Sequence, residues 1–357
     1  MDAYIEAATA VLRSGTYING REVSRFERAL ANRCRRGFCV AVSTGLDALR
    51  LILLGYMELG RLRPGDEVIV PANTFIATFL AVTSCGLVAV AADVDERDFC
   101  LDFERLPLTD KTRAIIAVHL FGTPCWNREF YREAERRGIL MIEDNAQAIG
   151  AEVSDGGWSY PTGSLGDAAA ISFYPAKNIG AFGDAGAVVT NDEQLEKKVR
   201  MLANYGSRQK YRHELLGFNC RMDELQAALL RVKLEKLEEV SARRRERAEL
   251  YDRLIDNPEI IKPTIFSDRK QVWHQYVIRH PERDTLRAFL LHNRIGTEIH
   301  YPVPCHLQEC YRGSDAIRVP ERPVVAERLA NEILSLPIAD VTDEEIEYIA
   351  YTINSLA

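Results

Sequence analysis

The sequence predicts an α/β protein in which a large, mostly parallel sheet domain is followed by a smaller C-terminal α/β domain. Short apolar runs with little polar alternation recur through the first two-thirds of the chain, the mark of strands buried on both faces. Segments of helical periodicity separate them, as the crossovers of a parallel sheet require. A chain of 357 residues is also long for one core, which favours two domains; the boundary is placed between 1–235 and 236–357.

Residues 23–31 read as a helix, with Val23, Phe26 and Leu30 on one face. Phe38–Val42 is a strand, followed by the Ser43-Thr44-Gly45 turn and a helix from Asp47 through Leu54. Residues 66–71 form a strand that stops at its proline, and Asn73-Thr74 opens the next helix. Further apolar strands are expected at 88–92, 114–118, 139–142, 168–173 and 187–190. From Asp223 one long helix is expected, with Leu225, Leu229 and Val232 as its apolar face. It continues through Leu237 into the basic run 243–247, which reads as a solvated face because glutamates surround it. A strand within 273–278, a helix near 285–292 and a last helix from Asp343 complete the smaller domain.

The composition, 47% hydrophobic and 27% charged, is that of a soluble globular protein, and a net charge of −7 argues against a general nucleic-acid binder. The start, Met1-Asp2-Ala3-Tyr4-Ile5-Glu6, lacks a basic stretch followed by an apolar one, so no signal peptide is read there. Residues 76–92 are too short for a comfortable membrane span and are interrupted by Thr78, Thr83, Ser84 and Gly86. A cytoplasmic protein is expected. The cysteines form no C-x-x-C pair; the looser pairs, Cys34 with Cys39 and Cys305 with Cys310, read as reduced thiols rather than zinc ligands, so no metal is expected.

Ligands of parallel sheets gather at the carboxyl ends of strands, and Gly45, Pro71, Asp144 and Ser172 all fall at or just past such ends. Lys177 lies in a bend between two apolar runs, with Gly180, Gly183 and Gly186 behind it. One amine and one carboxylate delivered by strand ends are the two groups that pyridoxal phosphate chemistry needs most: the lysine holds the cofactor as an imine, and the acid keeps its pyridine nitrogen protonated. Each residue has a plainer reading beside this one. Lys177 read alone is a surface lysine, and Asp144 an N-cap. The Gly45 turn either cradles a phosphate or simply joins strand to helix. Phe75 stacks on a flat ring or packs in the core; Gln147 meets the cofactor's phenolic oxygen or faces solvent; Ser172 binds phosphate or caps a strand. Arg208, Lys210 and Arg212, beside Tyr211 and His213, either hold a diphosphate or form a solvated loop. No G-x-G-x-x-G follows the first strand, which ranks a dinucleotide-binding oxidoreductase last.

Seven stretches, in order, resemble the sugar aminotransferases of the DegT/DnrJ/EryC1/StrS family, which are fold-type I pyridoxal phosphate enzymes. They are STGLDALRL (43–51), PANTFIAT (71–78), HLFGTP (119–124), IEDNAQAIGA (142–151), GSLGDAAAISFYPAKNIGAFGDAGAVVTND (163–192), GFNCRMDELQAALLRVKL (217–234) and IHYPVPCHLQ (299–308). The resemblance implies pyridoxal 5′-phosphate as cofactor, Lys177 as the imine-forming lysine and Asp144 as the partner of the pyridinium. It implies that Phe75 stacks on the ring, that Gln147 lies beside the phenolic oxygen, and that Ser172 and the Gly45-Leu46-Asp47 backbone hold the phosphate. Asn219 would come from the neighbouring subunit, which makes a homodimer part of the mechanism. L-Glutamate is the implied donor and a nucleotide-linked keto-hexose, with dTDP as nucleotide, the implied acceptor. The HYPVP-x-HLQ form is similar to members acting on 3-keto sugars, with Tyr301 and His306 facing the hexose and Arg221 near the diphosphate. A 4-keto acceptor is the alternative. Leu46, Ala185 and Cys220 depart from the threonine, glycine and serine common at these positions. A dehydratase branch carries histidine in place of the lysine, so Lys177 favours transamination. A sensor protein on the same fold would tolerate its loss.

Overall fold

The computed structural model describes residues 1–356. Helices α1 (Asp2–Ser14) and α2 (Arg21–Arg33) precede the first strand, β1 (Phe38–Val42), and α3 (Gly45–Glu58) follows it. Next come β2 (Glu67–Pro71), α4 (Ala77–Thr83), β3 (Val88–Ala92), β4 (Thr112–Val118), α5 (Arg128–Arg136) and β5 (Leu140–Asp144). A short hairpin, β6 (Glu152–Asp155) and β7 (Trp158–Pro161), leads to β8 (Ala168–Ser172), β9 (Gly186–Thr190) and α6 (Glu193–Ala203). An exposed hairpin, β10 (Ser207–Gln209) with β11 (Arg212–His213), precedes α7 (Glu224–Leu234) and α8 (Leu237–Leu254). Then come β12 (Arg269–Lys270), β13 (Tyr276–Arg279), α9 (Arg283–His292) and β14 (Ile317–Arg318). Helix α10 (Val324–Glu332), β15 (Ile333–Leu336) and α11 (Asp343–Asn354) complete the chain.

Among the described residues, eight strands form the main sheet, in the order β1-β9-β8-β5-β4-β2-β3-β14. Strand β9 lies antiparallel to both β1 and β8, while the other pairs are parallel, so the carboxyl ends of β1, β2, β5 and β8 share one edge. The period of two explains the apolar runs. Val68, Val70, Ala114 and Ile116 enter one core, whereas Ile69, Val90, Ile115 and Ala117 enter the core on the opposite face. Both faces are covered, so neither tolerates alternation with polar residues. Each fully buried valine or isoleucine adds roughly 1.5–3 kcal/mol.

A separate core joins α8, α9, α11 and the β13–β15 pair through Tyr251, Tyr276, Leu286, Leu334 and Ile349. The chain beyond 236 does not keep to this unit. Strand β14 extends the main sheet beside β3, β12 pairs with β6, and Cys305, Tyr311 and Leu329 enter the large core.

Three expectations about helices are corrected. The helix expected from Asp223 into the basic run is two helices, broken at Glu235–Lys236; the break places Leu237, 1% exposed, in a core beside Leu230. The basic run is not wholly solvated, because Arg244 shares the buried face of α8 with Ser241, Ala248 and Tyr251 and donates to the carbonyls of Trp273 and His274. The helix after Pro71 begins at Ala77 rather than Asn73-Thr74. The Asn73 side chain donates to the Phe99 carbonyl, and the Thr74 hydroxyl bonds Thr78 instead of capping the helix.

Candidate active site

Strands β4 and β5 end side by side, and the His119 N–H donates to the Asp144 carbonyl at 3.1 Å. Successive residues of β5 face opposite sides of the sheet, so it delivers two different carboxylates. Glu143 is fully buried. It accepts the N–H groups of Gly163, Leu165 and Gly166 at 2.6, 2.8 and 2.9 Å and contacts His119 Nε2 at 2.9 Å. Because His119 Nδ1 accepts the Cys125 N–H, Nε2 carries the proton and donates to Glu143. Burial pushes the Glu143 carboxyl up, but the bond from His119, the charge of Arg36 and the Gly166 N–H outweigh it and hold the group below the usual range. This acid locks the loops on either side of β5. The sequence reading did not single out Glu143 or His119; an acid inside an apolar strand run is the signal that marks the first.

Asp144 is 6% exposed. Thr78 Oγ1 donates to its Oδ2 at 2.9 Å and the Ala146 N–H to its Oδ1 at 3.2 Å. Burial raises its carboxyl, opposed by Thr78, Ala146 and the charge of Lys177. A turn rather than a helix follows β5, which overturns the N-cap reading, and burial at this depth calls for a cation. Lys177 sits half-buried in the bend after β8, its N–H on the Tyr174 carbonyl at 2.8 Å. Asn178 fixes the next position, donating to the Val272 carbonyl at 3.0 Å and meeting His274 Nδ1 at 3.1 Å. Burial lowers the Lys177 amine and the charge of Asp144 raises it in part; the outcome is about 8, so a useful fraction is neutral near neutral pH.

The turn after β1 is a cradle. Thr44 caps α3 by accepting the Asp47 N–H at 2.9 Å, and the Asp47 carboxylate is engaged by Ser43 and Arg50. The expectation that the Asp47 backbone holds phosphate is therefore corrected: its N–H is already used. Among the described residues no hydrogen bond engages the N–H groups of Gly45 and Leu46, which point out of a helix N-terminus that favours anions. A Cβ at Gly45 would lie 2.6 Å from Ser172 Cβ, and one at Gly186 would lie 2.2 Å from the Thr44 carbonyl oxygen. Both positions must be glycine for the helix end to reach Ser172.

Phe75 is 54% exposed and its ring centre lies 5.5 Å from that of Tyr301, which excludes the core-packing reading. Gln147 does not face solvent: its Oε1 accepts the Phe121 N–H at 2.7 Å and its Nε2 donates to the Tyr301 hydroxyl at 3.1 Å. Burial raises the Tyr301 phenol. Tyr301 thus joins Phe75 and Gln147 over one edge of the site.

The remaining expected residues are not bonded to Lys177 or Asp144, although the backbone of Arg221 pairs with Val42 at the end of β1. His306 presents no free edge to a sugar through Nε2; its side chain is 3% exposed and paired with Glu327 at 3.2 Å, which corrects its expected role. Tyr211, 83% exposed, and His213, bonded to the Tyr205 carbonyl at 2.8 Å, belong to the β10–β11 hairpin. Arg221 bonds Asn204 at 3.1 Å and lies 5.1 Å over the Tyr205 ring, while exposed Asn219 bridges Asn204 through its backbone. Among the described residues no hydrogen bond ties this strip to Lys177 or Asp144.

The clustered residues fit pyridoxal phosphate: a cradle at the Gly45 turn that a Cβ would fill, a buried carboxylate with a vacant lone pair, and an amine near pKa 8. Known proteins agree. A profile of the DegT/DnrJ/EryC1/StrS aminotransferase family matches residues 2–354. The chain is 44% identical over 336 residues to the "erythromycin biosynthesis sensory transduction protein EryC1" of Saccharopolyspora erythraea, covering 93% of this chain and 89% of that protein. It is 42% identical to the dTDP-3-amino-3,6-dideoxy-alpha-D-galactopyranose transaminase of Aneurinibacillus thermoaerophilus, with 98% and 94% covered. The crystal structure of DesV from S. venezuelae in complex with a ketimine intermediate superposes with a TM-score of 0.92 at 41% identity, covering 98% and 93%. NtdA from Bacillus subtilis with bound cofactor PMP gives 0.85 at 29%, covering 99% and 81%. With its sequence matched almost end to end and its sheet edge built as that chemistry requires, the chain belongs to the DegT/DnrJ/EryC1/StrS aminotransferase family.

Proposed function

We propose that the protein transfers the amino group of L-glutamate to C3 of a dTDP-linked keto-hexose, with pyridoxal 5′-phosphate as cofactor. The observation that carries this reading is the half-buried Lys177 amine, held near pKa 8 within the field of buried Asp144. The choice of carbon and nucleotide is supported by the 42% identity to a transaminase named for a dTDP-3-amino sugar.

When bound, the cofactor supplies an electron sink for the donor's α-carbon. Lys177 Nζ would hold it covalently, and its amine would move a proton to and from that carbon as general base and acid. Asp144 keeps the ring nitrogen protonated. The N–H groups of Gly45 and Leu46, with the Ser172 hydroxyl, bind the phosphate, and Phe75 covers one face of the ring. Gln147 and Tyr301 border the phenolic side. The strip bearing Arg208, Lys210, Tyr211, Arg212, Asn219 and Arg221 is read as reaching the site of a second subunit and meeting the acceptor's diphosphate there. The exposure of its hairpin, with Tyr211 largely free, supports a homodimer with shared sites. Seven buried free cysteines suit the reducing cytoplasm.

The test is incubation of holoenzyme with L-glutamate and a panel of nucleotide-linked 3-keto and 4-keto hexoses, with NMR location of the new amine. Nitrogen at C4 would reject the C3 assignment. Sugar product formed without consumption of glutamate would reject transamination in favour of dehydration. A sensor would turn over none of the panel.

A further inference from the structure

The turn that carries Phe75 also carries two buried hydroxyls. Thr74 is 3% exposed and Thr78 is fully buried; their oxygens lie 2.9 Å apart, and Thr78 Oγ1 lies 2.9 Å from Asp144 Oδ2. The direction of the chain follows from the proton inventory. An ionised carboxylate only accepts, so the single Thr78 proton goes to Asp144, and Thr74 must then donate its own to Thr78. The turn is fixed from the C-terminal side: the Cys305 N–H donates to the Ala72 carbonyl at 3.0 Å, and its thiol to the Thr74 carbonyl at 3.0 Å. Tyr301, four residues before Cys305, bears on Phe75.

We propose that the Thr74–Thr78 hydroxyl pair is a positioning relay that holds Asp144 ionised and aimed at the ring nitrogen of the cofactor. This rests on the reading of Asp144 as the pyridinium partner. Burial alone would favour a protonated, neutral Asp144, which has little hold on a pyridinium. A hydroxyl donor opposes this, and a second hydroxyl behind it polarises and strengthens the first. A lysine or arginine in its place would support the charge too, but would compete with the ring nitrogen for it. A hydroxyl supports the carboxylate and leaves it a vacant lone pair.

Another threonine of α4, Thr83, bonds back to the Phe79 carbonyl one turn earlier and also meets the Tyr311 hydroxyl, both at 3.1 Å. The Thr78 hydroxyl is instead placed between Thr74 and Asp144.

The test uses reconstituted holoenzyme of Thr78→Val, Thr78→Ser, Thr74→Val and Asp144→Asn. Two quantities are read: the dissociation constant of pyridoxal phosphate by equilibrium dialysis, and the pH midpoint of the absorbance of the lysine-bound cofactor. Thr78→Val should weaken cofactor binding roughly tenfold to a hundredfold, the range for losing a hydrogen bond to a charged group. It should also raise the midpoint, because a less positive ring withdraws less charge from the lysine nitrogen. Thr78→Ser should restore both, and Thr74→Val should move both the same way by less. Thr78→Val with both values unchanged, or Thr78→Ser falling as far as valine, would overturn the relay. Should Thr78→Val fail to fold, Thr74→Val decides, and a fixed midpoint there overturns it. Asp144→Asn separates the two ideas. If it binds cofactor as the wild type does, the reading of Asp144 itself is wrong. If it binds weakly while Thr78→Val does not, only the relay fails.

Discussion

Replacing Asp144 by asparagine should make Lys177 a readier nucleophile while ruining the enzyme. In the intact protein the amine sits near 8, because burial lowers it and the Asp144 charge partly restores it. At pH 7 a group of pKa 8 is neutral in about one molecule in ten, against about four in ten thousand for an unperturbed lysine. Lys177 should therefore react some hundreds of times faster at that pH than an exposed lysine of equal nucleophilicity. Asparagine keeps the shape and removes the charge, so the raising influence disappears and the midpoint falls below 8. The assay is reaction of apoprotein with fluorodinitrobenzene across pH 6–10, with the Lys177 peptide quantified by mass spectrometry. Wild type should show a midpoint near 8, and Asp144→Asn a lower one together with a turnover loss of roughly a hundredfold or more, as for other polar groups that meet developing charge. A wild-type midpoint at an ordinary lysine value, or an upward shift in the variant, would refute the electrostatic coupling.

Lys177→Ala should abolish both turnover and the absorbance of the covalently held cofactor; borohydride-stable label at another position would displace it from the mechanism. Gly45→Ala should weaken pyridoxal phosphate binding, because the new Cβ falls 2.6 Å from Ser172 Cβ, and fluorescence titration reads the change. Affinity equal to wild type would show that the cradle is elsewhere. Glu143→Leu should cost about 3–5 kcal/mol in urea unfolding, since the donors around a fully buried carboxylate lose their partner. The folded Glu143 carboxyl lies below its unfolded value, so its stabilisation is fully present above the unfolded value and fades as pH falls through the folded one. The wild type should therefore lose more stability than Glu143→Leu on acidification, and parallel curves would deny Glu143 that role.

The strand order was not legible in the sequence, but the strand ends were. Apolar runs reveal where a strand stops, and in a parallel sheet that alone puts Gly45, Asp144 and Ser172 on one edge. Helix boundaries were read less well, because tertiary contacts override periodicity. The break before Leu237 serves a core contact, and Thr74 abandons capping for Thr78. His306 illustrates the limit of reading a motif by proximity. It follows Tyr301 closely in sequence, yet its ring turns away to Glu327. The Asp47 backbone illustrates another: only the cap geometry shows which N–H groups at a helix start remain free. Glu143 escaped notice because an apolar strand is scanned for what ends it, not for the acid inside.

The site divides into a buried floor and an open rim, and the two face different demands. The floor consists of Asp144 and Thr78, backed on the opposite face of the sheet by Glu143 and His119, each below a tenth exposed and each tied to a different loop or helix. Proton transfer at the cofactor is the same whichever sugar arrives, and it tolerates little displacement of the reacting atoms. Dense, hydrogen-bonded polar groups meet that need, because a buried network of this kind resists rearrangement. The rim is made of side chains with ample free surface, Phe75 and Tyr174, and on the reading proposed above it is completed by the basic hairpin and Tyr211 of a second subunit. Such groups have apolar area and charge still to be covered by a hexose, a nucleotide or a second subunit. Exchanging rim residues should therefore change which acceptor is used while leaving half-turnover with L-glutamate intact. Single-turnover measurement of each half-reaction reads the two separately. A rim variant such as Tyr211→Ala that slows the glutamate half as much as the sugar half would contradict this division.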